Sequence, residues 1–275
     1  MNDEERGMYD FAYDLTRSAG LKLKRIRRHS AIEVREKTSQ MDLVTGHDIL
    51  IERILAEAIL ERYPGHGIVA EESQTWAIAD GDGYTWVIDP IDGTVNYYRF
   101  GRDYAISLAL YRYGNPVFGL VHDVANGVMF AAGQGEGAIM NGCPLDTLPA
   151  RKERMTRAVV AMSLRTIVEL SGLDMDVLGM LSGVQAHRYL GCASLELCKV
   201  ANGEYDLFIS SNVYEWDVAA ARIFLEQRGG FFLPRKKDKN SPGYGKLLVA
   251  AFRSPLIWEE ALEYFPERIR NEYGY

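Results

Sequence analysis

One stretch, Trp86-Val-Ile-Asp89-Pro-Ile-Asp92-Gly-Thr94-Val-Asn96, holds the residues best suited to chemistry. An apolar run delivers Asp89 at its end. Pro90 fixes φ and turns the chain out of a sheet, and Asp92 follows within one turn. Two carboxylates so placed can converge on one point, where they repel unless protons or cations compensate. Hard divalent cations with oxygen ligands do this, and magnesium takes few carboxylates and leaves room for a substrate phosphate. Gly93 lets the backbone approach a ligand closely. Gly93 and Thr94 can offer N–H groups to an anion, and Thr94 also a hydroxyl. The bland alternative is a turn with two solvated aspartates.

Two more carboxylates stand where they could join. Glu71 follows the short apolar run Ile68–Ala70 as Asp89 follows its own. If the two strands are neighbours, Glu71 lies beside Asp89; read alone, Glu71-Glu72 is a solvated acidic pair. Asp217 opens a helix and in isolation is most simply its N-cap.

The elements that must position these groups follow from periodicity and breakers. A helix is expected from about Glu4 to Ile26, with a basic end (Lys22, Lys24, Arg25, Arg27, Arg28) that suits a helix C-terminus and reads as solvated. A second runs from about Asp48 to Arg62, where Ile51, Ile54, Leu55, Ala58 and Ile59 mark one buried face, and Tyr63-Pro64-Gly65 ends it. Tyr84–Ile88 is a strand. An antiparallel meander follows in Ala105–Tyr111, Val117–Asp123 and Val128–Ala132, its first two strands separated by Asn115-Pro116. Asn126-Gly127 signals a hairpin. The charged stretch Arg151–Arg157 is the candidate subdomain boundary. Beyond it strands (Ala158–Met162, Tyr205–Ile209) alternate with helices (Ala193–Ala201, Asp217–Gln227), an α/β pattern. Gly229-Gly230 closes the last of these helices.

Composition excludes several functions. The 275 residues carry 31 Lys+Arg against 38 Asp+Glu, a net charge of −7 that argues against general nucleic-acid binding. No apolar run approaches the roughly 20 residues of a membrane span. The acidic start, Met1-Asn2-Asp3-Glu4-Glu5, is wrong for a secretory signal. Cys143, Cys192 and Cys198 cannot all pair and have no zinc spacing, so buried free thiols in a reducing, cytoplasmic setting are expected. Asp80-Gly-Asp82-Gly fails as a calcium loop, because Tyr84 and Thr85 stand where an oxygen ligand and a glycine are needed. Gly133-x-Gly135-x-Gly137 lacks the dinucleotide spacing and reads as a hairpin. His29, His47, His66, His122 and His187 are scattered and read as surface or satisfied structural histidines.

Ala70-Glu71-Glu72-Ser73, the Asp89–Asn96 motif, and Trp216-Asp217-Val-Ala-Ala with Gly229-Gly230 resemble the inositol monophosphatase family in order and spacing. Asp42-Leu-Val-Thr45-x-x-Asp48, Gly135-Glu-Gly-Ala138 with Asn141-Gly142, and Gly191-Cys-Ala-Ser194 with Ala201-Asn-Gly-Glu-Tyr-Asp206 look like further blocks of it. The resemblance runs from about Lys37 to Gly230. It implies an α+β or α/β fold, a layered α-β-α-β-α sandwich with mixed sheets. It also implies two subdomains, 1–150 with most metal ligands and 151–275 with Asp217 and substrate contacts.

The implied activity is magnesium-dependent hydrolysis of a phosphate monoester by a lithium-sensitive homodimer. Two or three Mg2+ ions are expected per site, Mn2+ substituting and Ca2+ and Li+ inhibiting. By position, Glu71, Asp89 and the Ile91 carbonyl would bind a first metal, Asp89, Asp92 and Asp217 a second, and Glu71 a third. Asp48 and Thr94 would orient and deprotonate water, with Glu71 also counted as catalytic. Asp92, Gly93, Thr94, Gly191, Ala193 and Ser210 would contact substrate, and Lys37 matches a basic residue near the metals. The family's inositol-contacting Glu is replaced here by Ser210. Inositol 1-phosphate is the first expected substrate. Fructose 1,6-bisphosphate, the 2′-phosphate of NADP, 3′-phosphoadenosine 5′-phosphate and histidinol phosphate are the alternatives within the superfamily. A catalytically silent metal-binding regulator is the alternative outside it. Four carboxylates at one point hold much of the acid surplus, and three divalent cations would more than reverse it.

Overall fold

Helix α1 (Asp3–His29) explains both the acidic start and the basic stretch of the sequence. Asn2 Oδ1 accepts the Glu5 N–H at 2.8 Å and Glu5 returns a bond to the Asn2 N–H at 2.9 Å, a reciprocal capping box. Acids fill the first turn and Arg27, Arg28 and His29 the last, each complementing the helix dipole. The basic end is not simply solvated: Lys24 Nζ donates to Ala125 O at 3.1 Å and Arg27 Nε to Tyr97 O at 2.9 Å. The structure, a computed structural model, describes residues 1–30, 32–39, 42–77, 83–148, 153–236, 246–267 and 270. Asp80 and Asp82 of the rejected calcium loop lie outside these residues, as do Arg151 and Lys152 of the expected boundary.

Strands β1 (Val34–Ser39) and β2 (Asp42–Thr45) pair antiparallel and lead into α2 (Gly46–Arg62). Then come β3 (Gly67–Ala70), β4 (Gln74–Ala77), β5 (Tyr84–Asp92), α3 (Thr94–Arg99), β6 (Ala105–Arg112), β7 (Asn115–Asp123), β8 (Val128–Gly133), β9 (Gly137–Met140) and β10 (Cys143–Leu145). These strands form a sheet in the order β10-β9-β8-β7-β6-β5-β3-β4, in which only β3 and β5 run parallel. The rest comprises β11 (Val159–Met162), α4 (Leu164–Ser171), α5 (Val177–Ser182), β12 (Ala186–Arg188), α6 (Ala193–Asn202), β13 (Leu207–Val213), α7 (Glu215–Gln227), β14 (Phe231–Lys236), β15 (Leu247–Phe252) and α8 (Pro255–Leu262). Its sheet, ordered β12-β11-β13-β15-β14, is also mixed: β11 runs parallel to β12 and β13, and β15 antiparallel to its neighbours.

The layers follow from which faces are apolar. Ile68, Trp86, Ile88, Ile106 and Leu108 turn to one side of the larger sheet and pack on Leu23, Ile51, Leu55 and Ile59 of α1 and α2. The alternate residues Val69, Val87, Ala105 and Ala109 turn to the other side, against Leu197, Val200, Ala220 and Phe224 of α6 and α7. With both faces covered, the strands read as continuous apolar runs. The far side of the α6–α7 layer meets Phe208, Val249 and Ala251 of the second sheet. That sheet's outer residues, Val160, Met162, Leu207, Ile209 and Phe252, pack on Leu170 of α4, Met180 of α5 and Trp258 of α8. The result is the expected α-β-α-β-α sandwich. One close approach holds its middle: a Cβ on Gly119 of β7 would lie 2.4 Å from Ala220 O and 2.7 Å from Ala220 Cα. Only glycine lets the α7 backbone rest directly on the sheet.

Several local readings are corrected. Asn115 and Pro116 lie within β7, not between strands, and the connection is Tyr113-Gly114. At the next hairpin Asn126 keeps negative φ; its N–H is taken by Asp123 Oδ1 at 3.0 Å, and Gly127 alone is left-handed. The Asp123 side chain therefore holds the four-residue turn between β7 and β8. Gly133–Gly137 is the hairpin expected, joining β8 to β9. Cys143 is exposed on the edge strand β10, whereas Cys192 and Cys198 are buried free thiols. Helix α7 begins at Glu215, two residues before the expected start, so Asp217 is its third residue and not its N-cap. Among the described residues no helix is long and apolar enough to cross a membrane.

Candidate active site

The parallel pairing of β3 with β5 sets Ala70 beside Ile88, and the Glu71 N–H continues the ladder to Ile88 O at 3.2 Å. Glu71 thus leaves its strand next to Asp89, as strand adjacency required. Asp89 and Asp92 are three residues apart, a spacing that in a regular strand points side chains to opposite faces. The β5–β6 register supplies the remedy: Asp89 pairs with Ser107 and Asp92 with Ala105, so β5 carries one extra residue at Pro90-Ile91. This bulge restores the parity, and both aspartates line one cleft with Glu71, Ile91 and Asp217. Ile91 N–H donates to Asp89 Oδ1 at 3.0 Å and holds the bend.

Gly93 follows with φ of 86°. A Cβ there would lie 3.1 Å from Asp103 O and 3.2 Å from both Gly191 O and Cys192 Cβ, so conformation and space both demand glycine. Thr94 opens α3 at the cleft wall. Its hydroxyl lies 3.0 Å from both Asp48 Oδ1 and Ile91 O. Asp48 is buried behind it as the third residue of α2, accepting the Thr45 N–H at 2.8 Å and the Thr45 hydroxyl. Burial pushes the Asp48 carboxyl up to about 6 against the pull of these hydrogen bonds, and the charge of Glu71 adds to the rise. Asp217 repeats the device on α7, reaching back to the Tyr214 N–H at 2.8 Å.

Asp92 is held by four donors from the start of α6. Ser194 N–H and Ser194 Oγ–H each reach Oδ2 at 2.6 Å, Cys192 Sγ–H reaches it at 3.2 Å, and Ala193 N–H reaches Oδ1 at 3.2 Å. Gly191, Ala193 and Ser210 all line the cleft, and the Ala193 amide is turned onto Asp92. Lys37 falls in β1, and its side chain lies outside what is described.

Four supporting residues were given no role in the sequence reading. Glu52, buried in α2, accepts the N–H groups of Glu72 at 2.7 Å and Ser73 at 3.1 Å and so fixes the turn that carries Glu71. Glu196, buried in α6, accepts the Leu190 N–H at 2.8 Å, and burial pushes its carboxyl up to about 8. Asn96 Nδ2 donates to Asp103 O at 2.9 Å and Leu190 O at 2.8 Å, tying α3 to the loop before α6. Ser194 is the fourth. The signal for the two glutamates was a carboxylate at a position flanked by apolar residues one turn away, Asp48 and Lys199 aside, on the buried side of α2 and within α6.

The donor set suits a hard cation. Burial and the carboxylates of Glu71, Asp92 and Asp217 all push Asp89 well above the ordinary carboxylate range, and divalent cations relieve such a cluster. Among the described residues no three Asp, Glu, His or Cys side chains already close on one metal-sized point; the carboxylates line a cavity of about 180 Å3 instead. The Cys192 thiol is a donor to Asp92, and burial pushes it well above its usual value.

The layered sandwich thus sets an oxygen-lined cleft at strand ends and helix starts. The inositol monophosphatase family model matches residues 4–270, and the chain belongs to that family. The inositol-1-monophosphatase of Bacillus subtilis (strain 168) is 34% identical over 217 residues, 78% of this chain and 81% of that protein. Inositol monophosphatase 1 of Homo sapiens is 31% identical over 243 residues, 85% of each chain. The crystal structure of an IMPase/NADP phosphatase complexed with Mg2+ and phosphate has the same fold, with a TM-score of 0.80 over 95% of each chain at 22% identity.

Proposed function

We propose that the chain hydrolyses a phosphate monoester with magnesium, inositol 1-phosphate first among substrates. The observation that carries this is the convergence of Glu71, Asp89, Asp92 and Asp217 on one cleft beside Thr94 and the left-handed Gly93. Glu71, Asp89 and the Ile91 carbonyl would hold one ion, and Asp89, Asp92 and Asp217 another; Glu71 and water would hold a weaker third. Bound there, magnesium supplies charge neutralisation for the ester and its leaving oxygen and makes water more acidic. Lys37 is assigned a supporting position near the ions.

The chain's own residues do the rest. The Thr94 hydroxyl donates to Asp48, which leaves its lone pairs to accept a proton from water and orient it at phosphorus. Asp48, with a carboxyl near 6, is placed to take that proton through Thr94. The amides of Gly93 and Thr94 face the phosphate. Gly191, Ala193 and Ser210 border the space for the alcohol. Phosphoryl transfer asks little more of a protein than position and charge. Mn2+ should substitute, and Ca2+ and Li+ should inhibit. Other monoesters, the 2′-phosphate of NADP among them, form the second reading, favoured by Ser210 where the family carries Glu.

A phosphate-release assay over a panel of monoesters, with Mg2+, with chelator and with Li+, tests the reading. Release from at least one ester should need Mg2+ and fall by about 100-fold or more in Asp92→Asn, with circular dichroism unchanged. A metal-independent rate, or near-normal turnover in that variant, would sink it. We also infer a cytoplasmic homodimer. Leu164, Val168 and Tyr189 are exposed around an apolar groove beside the cleft and suit a subunit contact; sedimentation reads the mass.

A further inference from the structure

We infer that the hydrogen bond between His47 and Tyr97 positions the Thr94 hydroxyl on Asp48, which makes both of them positioning residues for the attack of water. The inference rests on the phosphatase reading, in which Thr94 and Asp48 activate that water, and adds to it the contact that keeps the pair together. Asp48 is fixed by its own helix: its Oδ2 accepts the Thr45 N–H at 2.8 Å and the Thr45 hydroxyl at the start of α2. Thr94 belongs to α3, a helix of six residues. A helix so short has almost no stability of its own and lies where its neighbours hold it. The 3.0 Å bond from the Thr94 hydroxyl to Asp48 Oδ1 therefore depends on how α3 sits against α2.

Thr94 and Tyr97 are three residues apart and share one face of α3. That face meets the first turn of α2, where His47 and Asp48 are adjacent. Thr94 bonds to Asp48 there, and the Tyr97 hydroxyl lies 2.6 Å from His47 Nδ1. Tyr97 is fully buried and His47 nearly so. Burial lowers the imidazole below its ordinary value and raises the phenol, so a neutral ring accepts the phenol proton at Nδ1. Tyr97 is also where other elements grip α3. Arg27 of α1 donates Nε to the Tyr97 carbonyl at 2.9 Å and lies over its ring, 5.7 Å from the centroid. Tyr104 packs edge-on against it, with ring centroids 5.0 Å apart. Those contacts hold the ring and backbone from the sides of α1 and β6. The His47 bond ties the same residue to the helix that carries Asp48. A buried phenol needs a partner for its hydroxyl, and here that partner stands next to the residue that Thr94 must meet.

Phosphate release from inositol 1-phosphate or phenyl phosphate, whichever is turned over faster, tests this at saturating Mg2+. Tyr97→Phe keeps the ring and removes the hydroxyl; kcat should fall about tenfold while KM stays within about twofold of the parent. His47→Ala should match it. His47→Asn, whose amide oxygen can stand near the place of Nδ1, should keep kcat within about threefold of the parent. In a Thr94→Ala background, read in single turnovers, Tyr97→Phe should change the rate by less than about twofold, because the pair it positions is already gone. A kcat within about twofold of the parent in Tyr97→Phe overturns the inference and leaves the phosphatase reading intact. So does a full fall of about tenfold in the Thr94→Ala background, which would make the bond a general brace of the fold. Equal losses in His47→Asn and His47→Ala overturn it as well. If the parent releases phosphate from neither ester, the phosphatase reading falls and the inference with it.

Discussion

Asp92 shows how one side chain is prepared for two duties. Three donors crowd Oδ2 and a single amide reaches Oδ1, so one oxygen is saturated and the other keeps free lone pairs. Hydrogen bonds from outside a metal's ligand set orient its ligands, and their loss typically costs 10–100-fold in affinity. Ser194 supplies two of the four, one of them through its side chain. Ser194→Ala should therefore weaken Mn2+ binding about tenfold by direct titration. Affinity within twofold of the parent would show that the Cys192 thiol and the amides suffice. Neither Ser194 nor Cys192 was legible as a site residue, because a serine after the first residue of a helix reads only as a capping or surface group. Asp89, Asp92 and Glu71 were legible, because a carboxylate ending an apolar run must leave the core at a strand end.

At the scale of the element, helices and bulges aim what the strands deliver. Sequence periodicity finds α2 and α6 but assigns their charged residues to solvent, and so it misses Glu52 and Glu196. The β5 bulge is hidden for another reason: Pro90 announces an exit from the sheet, but the extra residue exists only relative to the register of β6. The three-residue strands β10 and β12 are too short to show a period at all. Glu52 gives a direct test. In Glu52→Ala the N–H groups of Glu72 and Ser73 lose their acceptor, which should cost about 1–3 kcal/mol in a urea melt and raise the Mg2+ concentration needed for half-maximal activity; an unchanged Mg2+ requirement would disconnect the turn from Glu71. Glu196 makes a pH prediction. Burial raises its carboxyl from the ordinary 4.5 to about 8 in the folded chain. A group raised on folding adds stability below its unfolded value and loses that contribution as pH climbs through the folded one. The melting midpoint should then decline between about pH 4.5 and 8, and Glu196→Gln should flatten the decline. An equal slope in both proteins would refute this.

For the whole molecule, the net charge of −7 first suggested only a poor partner for nucleic acid. The fold gives part of that surplus an address, at a cleft built from segments on either side of residue 150. An acidic cleft repels phosphate until cations reverse its sign. Calorimetric titration should therefore show inorganic phosphate binding with Mg2+ and at least about tenfold weaker binding after chelation, a deficit of about 1.4 kcal/mol. Equal binding in both states would mean that the phosphate is held by the backbone of Gly93 and Thr94 without help. The layered sandwich was implied by the family resemblance, and the meander followed by alternating strands and helices agreed with it. The stacking of both sheets on a shared α6–α7 layer was not legible in that pattern, because it depends on contacts between residues far apart in the chain.

Gly119 has no place in the chemistry, yet it sets the depth at which α7 lies. Its missing side chain fixes the stand-off between the helix and the sheet below, and the touching residue, Ala220, is one turn beyond Asp217. Asp217 belongs to the helix and Asp89 to the sheet, so the gap between them is gauged by that contact, much as a shim sets two machine parts. A single added methyl would act as a wedge there and lift a carboxylate it never touches. The spacing of two cleft carboxylates is thus written partly into a glycine buried in the middle layer.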